Sequence, residues 1–321
     1  MRLAPLLALL MALTCLAGPL PLVTSAIAQE ETVEIPLPRP RPDRSATETA
    51  APAAEPTAAT EAIAALADVP QPVALAARIT EDGTPIPEGL VWRVFESTPD
   101  ANGEMALVAK SEQASPRLEI RPGKYMVHVA YGQAQVSEEL SVVPGENTLD
   151  VVLNAGALRL NSAVTGDVAI SPALLTYEIF TSGQDTPRAM VMDGLTPNTV
   201  VTLNAGTYEI VSHFGSVNAT VRADLRVEPG QLTDATLYHQ ASQVSFRLVS
   251  EAGGEAIADV EWTVQTEDGT VLFSERSAFP STVLAEGEYL LLAKLGQQVF
   301  NREIQIQAGS PREIEVLSSA F

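Results

Sequence analysis

Apolar and polar positions alternate along most of the chain beyond residue 72, and one alternating stretch returns three times. It runs from Gly123 to Gly132, again from Gly206 to Gly215, and again from Gly287 to Gly296, at steps of 83 and then 81 residues. Each copy opens Gly-x-Tyr. In the first, Tyr125, Val127, Val129 and Tyr131 then share one face; in the second, Tyr208, Ile210, Ser212 and Phe214; in the third, Tyr289, Leu291, Ala293 and Leu295. A period of two with β-branched and aromatic residues predicts a strand with one buried face. The bounding glycines suit turns that need positive φ.

Around this strand the same punctuation repeats. In the first copy it predicts strands at 73–79, 89–95, 105–109, 117–120, 135–143 and 148–153, seven with the repeated one. The second copy reads 157–160, 175–180, 189–192, 199–203 and 217–227, closing at Pro229-Gly230; the third reads 244–248, 260–264, 271–273, 283–284, 299–306 and 314–317. An aromatic recurs in the second strand at Trp92, Tyr177 and Trp262, two steps of 85, and is expected opposite the repeated Tyr across a two-sheet core. No helical period competes with this pattern. Short strands at regular spacing predict an all-β chain of tandem sandwiches, and a repeat of about eighty residues is a domain rather than a solenoid unit. The expected domains are residues 73–154, 155–239 and 240–321. A Tyr just inside such a strand is expected to be a tyrosine corner, its hydroxyl bonded to backbone a few residues upstream. Tyr208→Ala should then cost about 3–5 kcal/mol, as other large-to-small core changes do.

Ahead of the repeats the pattern changes twice. Arg2 followed by the apolar run Leu3–Leu16 and the small residues of Ala26-Ile27-Ala28 reads as a secretory signal peptide, residues 1–28, too short and interrupted to remain as a membrane span. Cys15 falls inside that run behind Ala12-Leu13-Thr14, a poor lipidation context, so cleavage after Ala28 leaves a mature chain without cysteine. Residues 29–72 are rich in Pro, Ala, Thr and Glu, with Pro36, Pro38, Pro40 and Pro42 at every second position. Such a composition buries too little surface to offset chain entropy and predicts a disordered spacer. It also carries a candidate motif for a proline-reading groove.

Charge narrows the function. The chain holds 40 acids against 19 bases, and only Arg2 of these lies before residue 29, so the mature charge is −22. A surface of that sign disfavours nucleic acid and anionic lipid. The three histidines, His128, His213 and His239, have no metal-ligand spacing and are expected at the surface. Asp100-Ala-Asn102-Gly103-Glu104 has half the look of a calcium loop but lacks the distal Glu, and Asn-Gly is the favoured pair for a tight hairpin. Gly215-Ser216 is not a nucleophile elbow. The terminal Phe321 is not preceded by the alternating apolar positions of a membrane barrel, since Glu313, Glu315 and Ser319 occupy them. No catalytic residue, cofactor or metal ligand is therefore expected.

Asp82-Gly83-Thr-Pro-Ile-Pro-Glu-Gly89 ahead of a strand, and the turns Pro122-Gly123-Lys-Tyr125 and Ala205-Gly206-Thr-Tyr208, resemble the carboxypeptidase regulatory-like, or prealbumin-like, sandwich repeats of exported bacterial proteins. The likeness covers all three copies. It departs where that family has an Asp-Gly hairpin before the Pro-Gly-x-Tyr turn, for this chain has Ser115-Pro116-Arg-Leu-Glu-Ile120 there, which leaves a fibronectin- or immunoglobulin-like topology open. The resemblance implies a non-catalytic exported module. Together these readings give a periplasmic or extracellular binding or scaffold protein whose partner is an envelope protein or a cell-wall glycan. The alternatives are a polysaccharide- or peptidoglycan-binding protein and an accessory subunit of an envelope enzyme.

Overall fold

The computed structural model describes residues 69–183 and 187–318, so the expected signal peptide, nearly all of the spacer and Phe321 lie outside the described residues. Three groups of strands follow one another. The first holds β1 (Gln71–Arg78), β2 (Leu90–Glu96), β3 (Leu107–Ser111), β4 (Arg117–Ile120), β5 (Gly123–Tyr131), β6 (Ala134–Val142) and β7 (Asn147–Val152). The second holds β8 (Ala155–Val164), β9 (Val168–Ala169), β10 (Leu175–Ser182), β11 (Met190–Leu195), β12 (Val200–Asn204), β13 (Gly206–Phe214), β14 (Thr220–Val227) and β15 (Leu232–His239). The third holds β16 (Ala241–Val249), β17 (Glu261–Gln265), β18 (Val271–Arg276), β19 (Ser281–Ala285), β20 (Gly287–Leu295), β21 (Gln298–Ile306) and β22 (Arg312–Leu317).

Each group closes into the same two sheets. The four-stranded sheets run β3-β2-β5-β6, β11-β10-β13-β14 and β18-β17-β20-β21; the three-stranded ones run β4-β1-β7, β12-β8-β15 and β19-β16-β22, with β9 a short addition to β8. The first and last strands of every module are parallel neighbours. In the immunoglobulin order the first strand pairs with the second, whereas in the first and third modules here it pairs with the fourth and seventh, and in the second module β8 lies between β12 and β15 with only the two-residue β9 added to it.

The alternation read from the sequence decides which side chains go inside. Val73, Leu75 and Ala77 of β1 meet Trp92 and Val94 of β2 and Tyr125, Val127 and Val129 of β5 in one core, and the third module repeats this with Val244, Phe246, Leu248, Trp262, Tyr289 and Leu291. Each buried Val or Leu contributes about 1.5–3 kcal/mol.

Three expectations need correction. The first strand begins at Gln71, inside the stretch read as spacer. The recurring aromatics do not lie across the core from the repeated tyrosines, because both rings belong to the same sheet: Trp92 pairs with Val129 and Tyr125 with Glu96. Finally, β15 was not foreseen, since its inward residues Thr233 and Ala235 are weakly apolar and its exposed Leu232 and Tyr238 blur the alternation.

Candidate functional site

The repeated Gly-x-Tyr turn builds a tyrosine corner in all three modules. Tyr125 donates its hydroxyl to the Arg121 carbonyl, Tyr208 to Asn204 and Tyr289 to Ala285, each at 2.9 Å and each four residues upstream. The rings are at most 8% exposed, and burial raises the pKa of Tyr125 and Tyr208 above the ordinary tyrosine value.

The second and third of these corners sit where modules meet. Only residues 153–154 separate β7 from β8, and only Gln240 separates β15 from β16. The two junctions are made alike. The residue before the Gly-x-Tyr glycine donates back to the linker, Ala205 N to Asn154 O (2.6 Å) and Glu286 N to Gln240 O (2.9 Å). The turn before the last strand donates to the next residue, Gly230 N to Ala155 O (2.8 Å) and Gly309 N to Ala241 O (3.3 Å). An asparagine then ties each pair sideways. Asn204 accepts Gln135 N and donates to Leu153 O (both 3.0 Å), while Asn218, from the opposite partner, accepts Ala285 N (3.0 Å) and donates to the Tyr289 hydroxyl (2.9 Å).

The glycine that ends the first and second repeated strands is a point of close approach to the next module. At Gly215, φ is 73° and a Cβ would stand 2.7 Å from Val283 Cβ; at Gly132, φ is 62° and a Cβ would stand 3.1 Å from Thr202 Cβ. Both conformation and space demand glycine. Around the second junction Phe214, Ala219, Leu175 and Val164 join Ala241 and Val283 in one apolar cluster.

Beside this cluster lies the polar feature that the sequence did not reveal. Ser162 Oγ is 3.0 Å from both Tyr177 Oη and Ser212 Oγ, and Ser212 Oγ is 2.8 Å from His239 Nε2. All four residues are buried, with His239 only 1% exposed, so its expected place at the surface is wrong. Phe214 packs edge-on against its ring, centroids 5.7 Å apart. Burial, with a smaller contribution from the nearby His213 charge, drives the His239 pKa down to about 4, and the ring is neutral at physiological pH. A Ser–His contact of this length is the geometry of an activated nucleophile. Here Ser212 is 0% exposed, so no substrate reaches it. The chain satisfies buried polar groups and acts as internal structure.

The remaining candidates stay apart. His213 faces Glu178 at 3.3 Å and His128 faces Ser137 at 3.1 Å, both partly exposed on outer sheet faces. Asp100 caps its own hairpin by accepting Asn102 N and Glu104 N, which holds its carboxyl below the usual range. Among the described residues no three His, Cys, Asp or Glu side chains converge as a metal site, and no helix is long and apolar enough to cross a membrane. A groove of about 470 Å³ on the third module is lined by Glu267, Glu288 and Glu303 with Gln265 and Gln305.

The family model of a Rhizobiales growth-associated tandem repeat domain matches residues 243–318, the third module. No curated protein matches the chain. Among solved structures the chain is similar to a minor pilin of Streptococcus agalactiae, at 11% identity over 53% of this chain and 95% of that one, TM-score 0.32. It is also similar to the major pilin subunit of Bacillus cereus, at 10% identity over 78% of this chain and all of that one, TM-score 0.22. Its match to the Bacillus anthracis TIE protein is 14% identical over 78% of this chain but spans only half of that protein, TM-score 0.22. At such identities the likeness extends to β-sandwich architecture and no further.

Proposed function

We propose that this chain is an exported, non-catalytic scaffold that holds envelope or extracellular partners at fixed spacing. The observation that carries this reading is the pair of like-built junctions, whose linkers are one and two residues long and whose polar groups are bonded across the boundary. A flexible string of binding modules would need neither. The sealing of the Ser212–His239 pair inside the second module supports a role without chemistry. The signal-like leader and the cysteine-free remainder of the chain support the periplasm or the outside of the cell. The carboxypeptidase regulatory-like repeats remain the family whose turns this chain resembles, and modules of that kind serve as exported, non-catalytic parts.

The test is rigidity. The only cysteine is Cys15, so spin labels can be introduced at Lys110 and Glu275 without interference. One narrow distance distribution by pulsed electron resonance is expected; a broad one would reject the fixed scaffold. In-cell cross-linking then identifies what is held, and recovery of wall glycan alone would favour the second reading. In that reading a glycan strand lies in the groove of the third module, whose carboxylates and amides offer hydrogen bonds to sugar hydroxyls.

A further inference from the structure

The two junctions differ in what lies behind them. At the first, the bonds that cross between modules run from Gln133 N to Thr202 O (3.0 Å), from Gln135 N to the Asn204 side chain and from the Asn204 amide to Leu153 O. None of the side chains in those bonds titrates. At the second, the crossing bonds are again uncharged, both made by Asn218. There, however, the third module is seated on the apolar cluster that joins Phe214, Leu175 and Val164 to its own Ala241 and Val283. An ionisable side chain backs that cluster.

His239 ends β15, and Gln240 alone separates it from β16. Its Nε2 is bonded to Ser212, while its ring packs on Phe214 and its ladder partner is Val164, both members of the cluster. The groups around it offer no counter-ion. From β13 comes His213, which is itself paired with Glu178 of β10 at 3.3 Å. From β10 comes the Tyr177 hydroxyl, reached through Ser162 of β8 and Ser212. Within β15, Tyr238 is exposed and donates to Asp167. From the third module, Ala241 and Val283 bring no charge, and Glu286 meets the linker through its backbone N–H. Among the described residues no carboxylate is bonded to the imidazole.

A charged imidazole without a partner is costly in such a place, so the ring takes a proton only where water can reach it. Water coming through the second module's core would have to part Tyr177, Ile179 and Ile210, all fully buried between its sheets. From the linker end, only the third module has to lift, which breaks the apolar cluster and the two Asn218 bonds. The second route disrupts far less. Because the ring is neutral while docked, the open form binds one proton more, and opening becomes easier as pH falls.

We propose that the second junction is an acid-released hinge: protonation of His239 undocks the third module from the second while the first junction holds. The inference rests on the scaffold reading and adds its regulation, a fixed spacing at neutral pH and a third module free to reorient in acid.

Backbone hydrogen exchange on the full chain tests it. Ala285 N–H, held by Asn218 across the second junction, reports undocking, and the N–H groups of Gln133 and Gln135 report the first junction. With His239 titrating at about 4 when docked and 6.5 when free, protection of Ala285, corrected for intrinsic exchange, should fall about 25-fold from about pH 7.5 to about pH 5. Gln133 and Gln135 should keep theirs, and Val211, in the central strand β13, should stay better protected than Ala285 throughout. His239→Gln, neutral at both pH values, should abolish the fall, and a melting curve shows whether that variant is folded. His213→Gln, on the outer face, should leave the fall in place, and with the native chain it decides the matter even if His239→Gln does not fold. The proposal is overturned if acid leaves Ala285 unchanged, if Gln133 and Gln135 lose as much, or if Val211 is no better protected, which would mean unfolding of the module. It is equally overturned if folded His239→Gln keeps the fall or His213→Gln abolishes it. None of these results would alter the label distances at neutral pH that test rigidity, so failure here leaves the scaffold reading standing.

Discussion

The second module and its two neighbours share one topology but solve the core differently. In the first and third modules the second strand carries Trp92 or Trp262, paired beside Val129 or Ala293, and each indole donates to a nearby carbonyl, Gln113 O or Ser277 O. In the second, Tyr177 pairs beside Ser212, and its hydroxyl begins the chain through Ser162 to His239. The difference teaches that the fold specifies a large ring with one polar end at this position, while how that end is satisfied is left to the neighbours. A backbone carbonyl answers it at no further cost. A side-chain network answers it only if every member stays bonded, because an unpartnered buried group costs about 1–3 kcal/mol.

The sharpest way to break the comparison is to remove the ring. Trp262→Ala should cost its module about 3–5 kcal/mol, and Tyr208→Ala a similar amount in the second, both read from urea melts. Acid should separate the modules next. His239 titrates at about 4 when folded and at 6.5 when free, so the unfolded chain binds more protons between those values. Stability of the second module therefore falls as pH drops from 6.5 towards 4, by about 3 kcal/mol in all. Both tryptophans lie outside that module, so hydrogen exchange should show it opening on acidification before indole fluorescence changes. If fluorescence moves first, the His239 account fails. Tyr177→Phe should cost about 1–2 kcal/mol by leaving Ser162 short of a partner, with little effect expected from the equivalent loss at an exposed hydroxyl. Smallest of all, Gln71→Ala, which removes an amide bonded to Val69 O and Gly145 N, should cost about 1 kcal/mol, confined to the first module in exchange data.

The repeated strand, the corners and most strand positions were legible because each depends on local facts: alternation within nine residues, or a bond to the fourth residue back. The pairing of first and last strands was not, since partners such as Ala163 and Tyr238 lie 75 residues apart and share no motif. His239 was hidden for a different reason. It lies in phase with Leu237 on a strand whose other inward residues are Thr233 and Ala235, so nothing marked that face as core. A reading that extended the phase from Leu237 would have placed the imidazole inside. The junctions were half legible, through Gly132 and Gly215, which read as turns and prove to be contact points as well.

The parallel pairing of first and last strands has a mechanical consequence. A chain anchored at one end and loaded at the other pulls β1 against β7, β8 against β15 and β16 against β22 along their length, so each ladder is sheared as a whole instead of being peeled rung by rung. The longest of the three joins residues 157–164 to 232–239 and belongs to the module with the polar core. Under tension the middle of the array should be the last part to yield, and in acid the first.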